Sequence, residues 1–342
     1  MRISDRPSGS PGSPGPPGSS GSPGSSGPPE LDIISIGECM IEMFCEGPLA
    51  TTDTYTRTFA GDTMNMLVAA SRLGAKTGYV THVGNDPFQD FLTEAWRSEG
   101  IDLRCATPLD RPNGLYFISI LPGGEREFTY YRAGSAASFL QPADIDPNYI
   151  GSAKVVYASG ITQAISQSSR AAVLEAFRIA REHNVTTAFD TNLRLGLWSL
   201  EEAREALDEI IPHVDILLPS APEESASLFG TEDACAVIEQ AQEWGVGMVA
   251  VKCGADGAVL GLDDGIHEIP AYVPERVSDT SGAGDVFNGG LLYGMTHGME
   301  AVESARLGTV MAGLKVRGRG ATYSIPSREE AFGVYEESGK ST

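Results

Sequence analysis

The stretch Asp279-Thr280-Ser281-Gly282-Ala283-Gly284-Asp285-Val286-Phe287 is the most informative part of this 342-residue chain. Gly282, Ala283 and Gly284 are small and leave the backbone uncovered, so successive N–H groups can point at one anion. A helix that begins just after them would add its positive end to this anion-binding loop. Asp285 follows directly, although a loop that only binds phosphate gains nothing from a further negative charge. A carboxylate there suits a general base that takes a proton from a hydroxyl nucleophile.

The charge and the cysteine content argue against several classes of partner and site. The formal net charge is −22 at pH 7, so nucleic acids and anionic membrane surfaces would be repelled. The five cysteines include no C-x-x-C pair and are odd in number, which indicates reduced thiols and neither a disulfide framework nor a zinc site. No apolar run reaches the roughly 20 residues of a membrane span, and the N-terminus lacks the apolar region of a signal peptide. We therefore predict a cytoplasmic protein with small-molecule partners, in which the five scattered histidines are structural.

Residues 1–30 are predicted to be a leader outside the folded domain. Residues 9–29 repeat Gly-x-y seven times, mostly with Ser and Pro, and carry no apolar side chain to bury. A collagen-like triple helix needs this period, but seven triplets make a short segment. A disordered spacer is therefore the favoured interpretation, and the sequence leaves open whether the leader is natural, a linker or collagen-like.

Apolar strands and amphipathic helices alternate from residue 31 to about residue 330, which predicts one large α/β domain. Residues 31–37 form a short β-branched run that indicates a buried first strand, and residues 155–158 and 186–190 have a similar form. Helical segments with apolar residues at spacings of three and four separate the strands, and Gly74 is placed to end the first helix. This order predicts an α/β fold whose mostly parallel central sheet is covered by helices on both faces, with ligands at the carboxyl ends of the strands.

The alternation is interrupted by a second group of strands. Residues 114–121 and 127–132 flank the Gly-rich turn at 122–124, as in a β-hairpin. We interpret these strands as part of a small inserted β-sheet, a lid, with its strands at about 39–58 and 104–135. Residues 331–342 are expected to be a tail.

The pattern D-T-x-G-A-G-D at residues 279–285 resembles the C-terminal signature of the ribokinase-like (PfkB) family of carbohydrate kinases, and every fixed position is present. A tight turn that serves packing alone fits less well, because helix capping would favour Ser or Asn. The resemblance implies a ribokinase-like fold, Asp285 as the catalytic base and the backbone of residues 282–284 as the anion hole. It also implies ATP and Mg²⁺, and it leaves open a monovalent cation such as K⁺ near Asp279 and Thr280.

Two further elements resemble nucleotide-binding parts of the family. Residues 251–257 match V-K-x-G-x-x-G, which alone is most often a hairpin, and the resemblance implies ATP contacts from Lys252, Gly254 and Gly257. Ser220 and Glu223 stand where the family has N-x-x-E, an element linked to magnesium and phosphate, with Ser220 in place of Asn. Glu223 would then act through water, because Mg²⁺ usually keeps several water ligands.

The arginines indicate the kind of substrate. Tyr130 and Arg132 are two positions apart on a predicted strand and so face the same side, while Arg194 follows the buried strand at 186–190. Two arginines aimed at one pocket suit a carboxylate, which a neutral hexose lacks. A solvated charge at a strand edge is the alternative for Arg132.

The patterns Y-x-R-x-x-S-A-A from residue 130 and N-x-R-x-x-x-W from residue 192 resemble those of 2-keto-3-deoxygluconate kinases within the family. The resemblance implies that a sugar acid is contacted by Gly61, Asp62, Asn65, Tyr116, Tyr130, Arg132 and Arg194. For Asp62 and Asn65 the alternative is helix capping. Asn192 is expected near ATP, because this segment also faces the phosphates in some members.

Together these patterns predict ATP-dependent phosphorylation of the terminal hydroxyl of a 2-keto-3-deoxy sugar acid, 2-keto-3-deoxygluconate being converted to its 6-phosphate. One alternative is a kinase of the same fold for a neutral sugar such as fructose or ribose, and another is a non-catalytic sensor of ATP or a sugar acid. A nicotinamide-dependent dehydrogenase would need G-x-G-x-x-G after the first strand, which is missing. The epimer accepted, and a homo-oligomer formed through the lid, stay open.

Overall fold

A computed structural model describes residues 29–121 and 126–338 of the chain. Nearly all of the predicted leader, the turn at 122–124 and the end of the predicted tail lie outside the described residues. The strands are β1 (Leu31–Ile36), β2 (Met40–Glu46), β3 (Thr56–Ala60), β4 (Thr77–Gly84), β5 (Asp102–Leu109), β6 (Leu115–Ile120), β7 (Arg126–Tyr131), β8 (Ala153–Ser159), β9 (Thr186–Asp190), β10 (Ile216–Leu217), β11 (Met248–Lys252), β12 (Ala258–Leu262) and β13 (Gly265–Ile269). The α-helices are α1 (Asp62–Leu73), α2 (Gln89–Ser98), α3 (Pro147–Ile150), α4 (Gly160–Ala164), α5 (Gln167–Glu182), α6 (Leu200–Ile210), α7 (Glu223–Leu228), α8 (Ala234–Glu243), α9 (Ala283–Thr296), α10 (Ala301–Lys315) and α11 (Arg328–Ser338).

The large sheet has nine strands in the order β13-β12-β11-β10-β9-β8-β1-β4-β5. The strands from β5 across to β11 are parallel to their neighbours, and only β12 and β13 are added antiparallel. All residues of β1 and β11 are buried, because the sheet is covered on both faces. The predicted α/β fold with a mostly parallel sheet is confirmed.

Helices cover both faces of this sheet and bury two separate apolar cores. One core contains residues of α1, α9 and α10, and the other contains residues of α5, α6 and α8. Helix α1 ends as predicted at Gly74, which has a φ of 108° and donates its N–H to carbonyl oxygens of the last turn. Because β1 lies between β4 and β8, the strand order reverses beside it, and such a point is where open α/β sheets bind ligands.

The lid is a four-stranded sheet in the order β3-β2-β6-β7. Strands β6 and β7 pair antiparallel, with Tyr116 opposite Tyr130, and β2 pairs parallel with β6, which puts Glu42 opposite Tyr116. The predicted small second sheet is therefore present. This register places side chains of β2 and of the β6–β7 hairpin on the same face of the lid.

Three segments differ from the sequence prediction. Residues 104–109, which we assigned to the lid, belong to β5 and pair with β4 at the edge of the large sheet. Residues 331–338, predicted to be a tail, lie in α11, because Phe332 and Tyr335 pack against Tyr293 and Arg306 of α9 and α10. Strand β13 was not predicted, because only Ile269 of its five residues is buried.

Among the helices of residues 29–121 and 126–338, none has the length and apolar character of a membrane span.

Candidate active site

A cleft of about 1150 Å³ lies between the lid and the carboxyl ends of the large sheet. The predicted site residues that line it are Gly61, Asp62, Asn65, Tyr116, Tyr130, Arg132, Asn192, Arg194, Ser220, Glu223, Lys252, Gly282, Ala283, Gly284 and Asp285. Gly254 and Gly257 lie in the turn between β11 and β12 and are not part of this lining. Segments separated by more than 200 positions in the sequence thus meet in one cavity.

The anion loop, residues 279–285, leads directly into α9. Gly282 is the N-cap of this helix and has a φ of 74°, in the left-handed region that side chains rarely adopt. A methyl group at this position would lie 3.2 Å from the side-chain nitrogen of Asn65. The residues that begin α9 line the cleft, and the backbone N–H groups and dipole of a helix N-terminus suit a phosphate.

Asp285 lies in the first turn of α9 and is buried. Its Oδ2 accepts a hydrogen bond of 2.8 Å from Nδ2 of Asn65. Burial, followed by the negative charge of Asp62, raises the pKa of Asp285 to about 7, while the hydrogen bond from Asn65 acts in the opposite direction. A carboxyl group that titrates near neutral pH suits a general base.

Two more buried carboxylates, those of Asp62 and Asp190, line the same cleft as Asp285. We call the part of the cleft that these three residues line its floor. Nζ of Lys252 lies 2.7 Å from Oδ2 of Asp190, and Nδ2 of Asn288 donates to the same oxygen at 2.7 Å. Asn192 donates to Oδ2 of Asp62 at 3.1 Å. Burial, together with the charge of Asp190, raises the pKa of Asp62. Lys252, which we expected to serve the nucleotide phosphates, is thus paired with a carboxylate of the floor.

Arg132 is paired with Glu38, a buried residue that follows β1. Its Nη2 lies 2.5 Å from Oε2 of Glu38, and Ser135 donates its hydroxyl to Oε1 at 2.5 Å. Nε of Arg132 is buried without a hydrogen-bond partner among the described residues. Arg132 lines the cleft, but the charge of its guanidinium is matched by the carboxylate of Glu38.

Aromatic side chains form the lid wall of the cleft. The rings of Tyr116 and Tyr130 stack with their centres 5.3 Å apart, and Phe128 stacks on Tyr130 at 6.3 Å. Burial raises the pKa of Tyr130, and the positive charges of Arg132 and Arg194 partly oppose this shift. Both arginines therefore lie near the same ring. Arg194 is exposed and donates to the carbonyl oxygen of Leu193 at 2.8 Å.

The lid also contacts the anion loop. Arg126, at the start of β7, donates to the carboxylate of Asp279 and, at 2.9 Å, to the hydroxyl of Ser281. The backbone N–H groups of Ser281 and Gly320 each donate to this carboxylate at 2.9 Å. Burial alone would raise the pKa of Asp279, but the charge of Lys315 and these backbone hydrogen bonds outweigh it, and the pKa is lowered. Asp279 is therefore an ionised anchor of the loop.

Glu223 and Glu224 have different surroundings at the cleft. The carboxylate of Glu224 accepts from the backbone N–H of Ser220 at 2.9 Å and of Leu193 at 2.8 Å, so it joins two loops. Glu223 is exposed and lines the cleft. No group of three or more His, Cys, Asp or Glu side chains that could hold a metal occurs in the part of the chain that the structure describes.

Some cleft residues were not among our predicted site residues. Glu38 and Asp190 lie at the carboxyl ends of β1 and β9, and the rule that ligands bind there is a signal that would have found them. Phe128 carries no such signal, since an aromatic residue in a hairpin strand is common.

Residues 30–328 match the model of the pfkB family of carbohydrate kinases. The chain is 32% identical to the 2-dehydro-3-deoxygluconokinase of Thermoproteus tenax, over 88% of this chain and 93% of that protein. It is 33% identical to the enzyme of that name from Escherichia coli (strain K12), over 84% of this chain and 96% of the relative.

Solved structures have the same fold. A PfkB protein from Polaromonas sp. JS666 superposes with a TM-score of 0.81 at 29% identity, over 89% of this chain and 99% of that one. A putative ribokinase II from E. coli, solved in complex with ATP and Mg²⁺, superposes with a TM-score of 0.83 at 24% identity, over 90% and 99% of the two chains. The family match, these relatives and the shared fold agree with one another: the chain belongs to the PfkB family of carbohydrate kinases.

Proposed function

We propose that this protein transfers the γ-phosphoryl group of ATP to the terminal hydroxyl of 2-keto-3-deoxygluconate, giving the 6-phosphate, with Asp285 as the general base. This sugar acid is also called 2-dehydro-3-deoxygluconate, the name that the relatives from T. tenax and E. coli carry. The observation that supports the reaction best is the buried carboxylate of Asp285 at the N-terminus of α9, beside the left-handed Gly282. It combines a base and an anion site at one point.

In this reaction the side chains of the floor act on the sugar hydroxyl. Asn65 holds the carboxylate of Asp285 in place, and Asp285 accepts the proton as the hydroxyl oxygen attacks phosphorus. The backbone N–H groups of residues 282–284 stabilise the charge that develops on the transferred group. Asp62 would accept a hydrogen bond from another sugar hydroxyl.

ATP would occupy the side of the cleft formed by Asn192, Ser220 and Lys252. Mg²⁺ would supply charge neutralisation on the phosphates. The free carboxylate of Glu223 fits such an ion through water, since Mg²⁺ needs only one or two protein carboxylates beside phosphate oxygens. Lys252 would donate a hydrogen bond to a phosphate oxygen, from its place beside Asp190.

The substrate class rests on Tyr130 and the two arginines beside it. Arg194, which is exposed, would bind the carboxylate, and the guanidinium of Arg132, which also lines the cleft, would add a hydrogen bond. A neutral sugar such as fructose or ribose is the second candidate. The pairing of Arg132 with Glu38 supports it, because this ion pair leaves Arg132 without net charge for an acid.

A coupled assay of ADP release tests the proposal directly. Turnover is measured with 2-keto-3-deoxygluconate, its galacto epimer, fructose and ribose under equal conditions. We expect the two sugar acids to give kcat/KM values about 10²-fold above the neutral sugars, since a lost charged hydrogen bond costs up to ~3 kcal/mol. Higher kcat/KM for fructose or ribose would select the second candidate, and no turnover with any of them would reject both.

Association through the lid and a cytoplasmic location also stay predictions. The side chains of Tyr130 and Tyr131 on β7 are more than half exposed, which supports the use of this strand in a homo-oligomer. Light scattering on the purified protein would measure its mass. A monomer at micromolar concentration would contradict the predicted association.

A further inference from the structure

Lys315, the last residue of α10, is a lysine that the proposed reaction does not use. Its exposed fraction is 0%, whereas lysines are almost never fully buried unless they are paired. Its ammonium nitrogen donates to the backbone carbonyl oxygen of Asp279 at 2.9 Å. It forms no ion pair with a carboxylate among the described residues, so its one hydrogen-bond acceptor there is a backbone group of the anion loop.

The surroundings of Lys315 are acidic. Burial lowers the pKa of Lys315, the negative charges of Asp279, Asp285 and Glu42 oppose this shift by favouring the ammonium form, and the charge of Arg126 adds to the lowering. Lys315 is not among the residues that line the cleft. The positive charge therefore lies outside the lining of the cleft, against the backbone of the anion loop, where it acts on both the loop and the base.

The geometry bears on the monovalent cation that the sequence leaves open near Asp279 and Thr280. An ammonium group and K⁺ carry the same charge and are close in size, so both bind carbonyl oxygens. Here the carbonyl oxygen of Asp279 already accepts an N–H of Lys315. A K⁺ ion beside this oxygen would also meet the charge of the buried ammonium at short range. The residues present therefore do not fit a K⁺ ion at this carbonyl.

We propose that the Lys315 ammonium is a built-in monovalent cation that positions the anion loop, so that the enzyme works without K⁺. The ammonium donates to the backbone carbonyl oxygen of Asp279, while Arg126 and two backbone N–H groups donate to the side-chain carboxylate of the same residue. Lys315 is a positioning residue, because it acts through the loop and does not touch the substrates. The inference rests on the proposed role of this loop in phosphoryl transfer.

The test compares the wild-type protein and Lys315→Met in buffers of equal ionic strength that contain K⁺, Na⁺, choline or methylammonium. The wild type is expected to have the same kcat and the same melting temperature in K⁺ and in choline. Lys315→Met in choline is expected to lose about 10²-fold in kcat, the loss typical for one stabilising group at a developing charge. Small cations, K⁺ and methylammonium above all, should restore part of kcat and raise the melting temperature of the variant only.

Lys154→Met is the matched control, because Lys154 is a half-exposed lysine of β8 that pairs with Asp32. It should keep the wild-type rate and show no cation dependence. A wild-type kcat that rises severalfold with K⁺ over choline would overturn the proposal, as would a Lys315→Met variant with the wild-type rate in choline. If Lys315→Met does not fold, the comparison of wild-type kcat in K⁺ and in choline still tests the proposal. Absence of turnover with every sugar would instead count against the proposed function, and the melting temperatures would then test the cation separately.

Discussion

The side-chain amide of Asn65 donates a hydrogen bond of 2.8 Å to the carboxylate of Asp285, although the two residues are 220 positions apart in the sequence. Asn65 belongs to the first turn of α1, and Asp285 belongs to the first turn of α9. The N-termini of two helices therefore meet at one carboxyl group. This bond favours the charged form of Asp285, whereas burial favours the protonated form.

Replacing Asn65 by Ala should move the pH dependence of the reaction. The pKa of Asp285, already raised to about 7 by burial, rises further without this hydrogen bond, so less of the base is ionised at a given pH. The acidic limb of the pH profile of kcat/KM should therefore shift to higher pH. Asn148→Ala, at an exposed position of α3, is the control. An unshifted limb in Asn65→Ala would show that Asp285 is not the group that titrates.

Asp285→Asn should lower kcat by about 10² to 10⁴-fold, the usual contribution of a general base. ATP binding, measured by calorimetry, should change little, because the anion loop keeps its backbone. Asp264→Asn, at an exposed turn, should keep full activity. A variant at Asp285 that retains more than about a tenth of the wild-type rate would contradict the assigned base.

The same substitution should make the protein more stable at alkaline pH. Because the folded-state pKa of Asp285 is raised from 3.8 to about 7, the folded protein holds a proton that the unfolded chain releases. This contribution to stability is fully present below pH 4 and is lost as the pH rises through 7. Asp285→Asn removes the loss, so its free energy of unfolding should exceed that of the wild type at pH 8 by roughly 1 to 4 kcal/mol. Urea unfolding at pH 4.5 and pH 8 measures the difference.

Arg194→Met separates the two candidate substrates. For a sugar acid, the lost charged hydrogen bonds should raise KM by about 10 to 10²-fold, with less change in kcat. For a neutral sugar KM should not change. Arg178→Met is a suitable control, because Arg178 forms ion pairs with Glu175 and Glu182 on the surface of α5.

Arg132 needs a paired design, since its removal would leave the buried carboxylate of Glu38 without a partner. Arg132→Met alone should therefore destabilise the protein, and Arg132→Met with Glu38→Gln should recover much of the stability. If Arg132 contacts the carboxylate of the substrate, the double variant should still show a raised KM for the sugar acid. An unchanged KM in the stable double variant would limit Arg132 to a structural role.

Gly282→Ala tests the geometry of the anion loop. An alanine there must adopt a φ of 74° and place its methyl group 3.2 Å from Nδ2 of Asn65. Gly298 has a φ of 78° with no atom within 4 Å of the added methyl group, so Gly298→Ala carries the same backbone cost without the contact. Both variants should lose about 1 to 2 kcal/mol of stability. Only Gly282→Ala should lose activity, and equal activity in the two would show that this contact does not matter.

The sequence predicted the elements whose signal is local. Apolar strands buried on both faces, such as β1, and a helix ended by a left-handed glycine, Gly74, are specified by a few neighbouring residues. Strand β13 was missed, because an edge strand with one buried residue has no apolar pattern. Helix α11 was predicted to be a tail, because it is held in place by contacts with residues 293 and 306. These contacts cannot be inferred from the sequence of the helix alone.

In the site, too, features specified by neighbouring residues could be predicted, and contacts between distant residues could not. Most of the predicted site residues do line the cleft, so their place in it could be predicted from motifs that are continuous in sequence. The partners of those residues could not: Glu38 neutralises Arg132, Asp190 binds Lys252 and Lys315 supports Asp279. Each pair joins residues from separate elements, and only the fold brings them within hydrogen-bond distance.

The division of the cleft between two sheets has a consequence for how such an enzyme can change. The proposed base and anion loop are attached to the large sheet, whereas Tyr116, Phe128 and Tyr130 come from one hairpin of the lid. Under the proposed function, exchange of this one contiguous segment would change the lid part of the sugar site and leave the proposed phosphoryl-transfer groups in place. The contact that such an exchange must keep is the one from Arg126 to the carboxylate of Asp279, because it joins the exchanged hairpin to the unchanged loop.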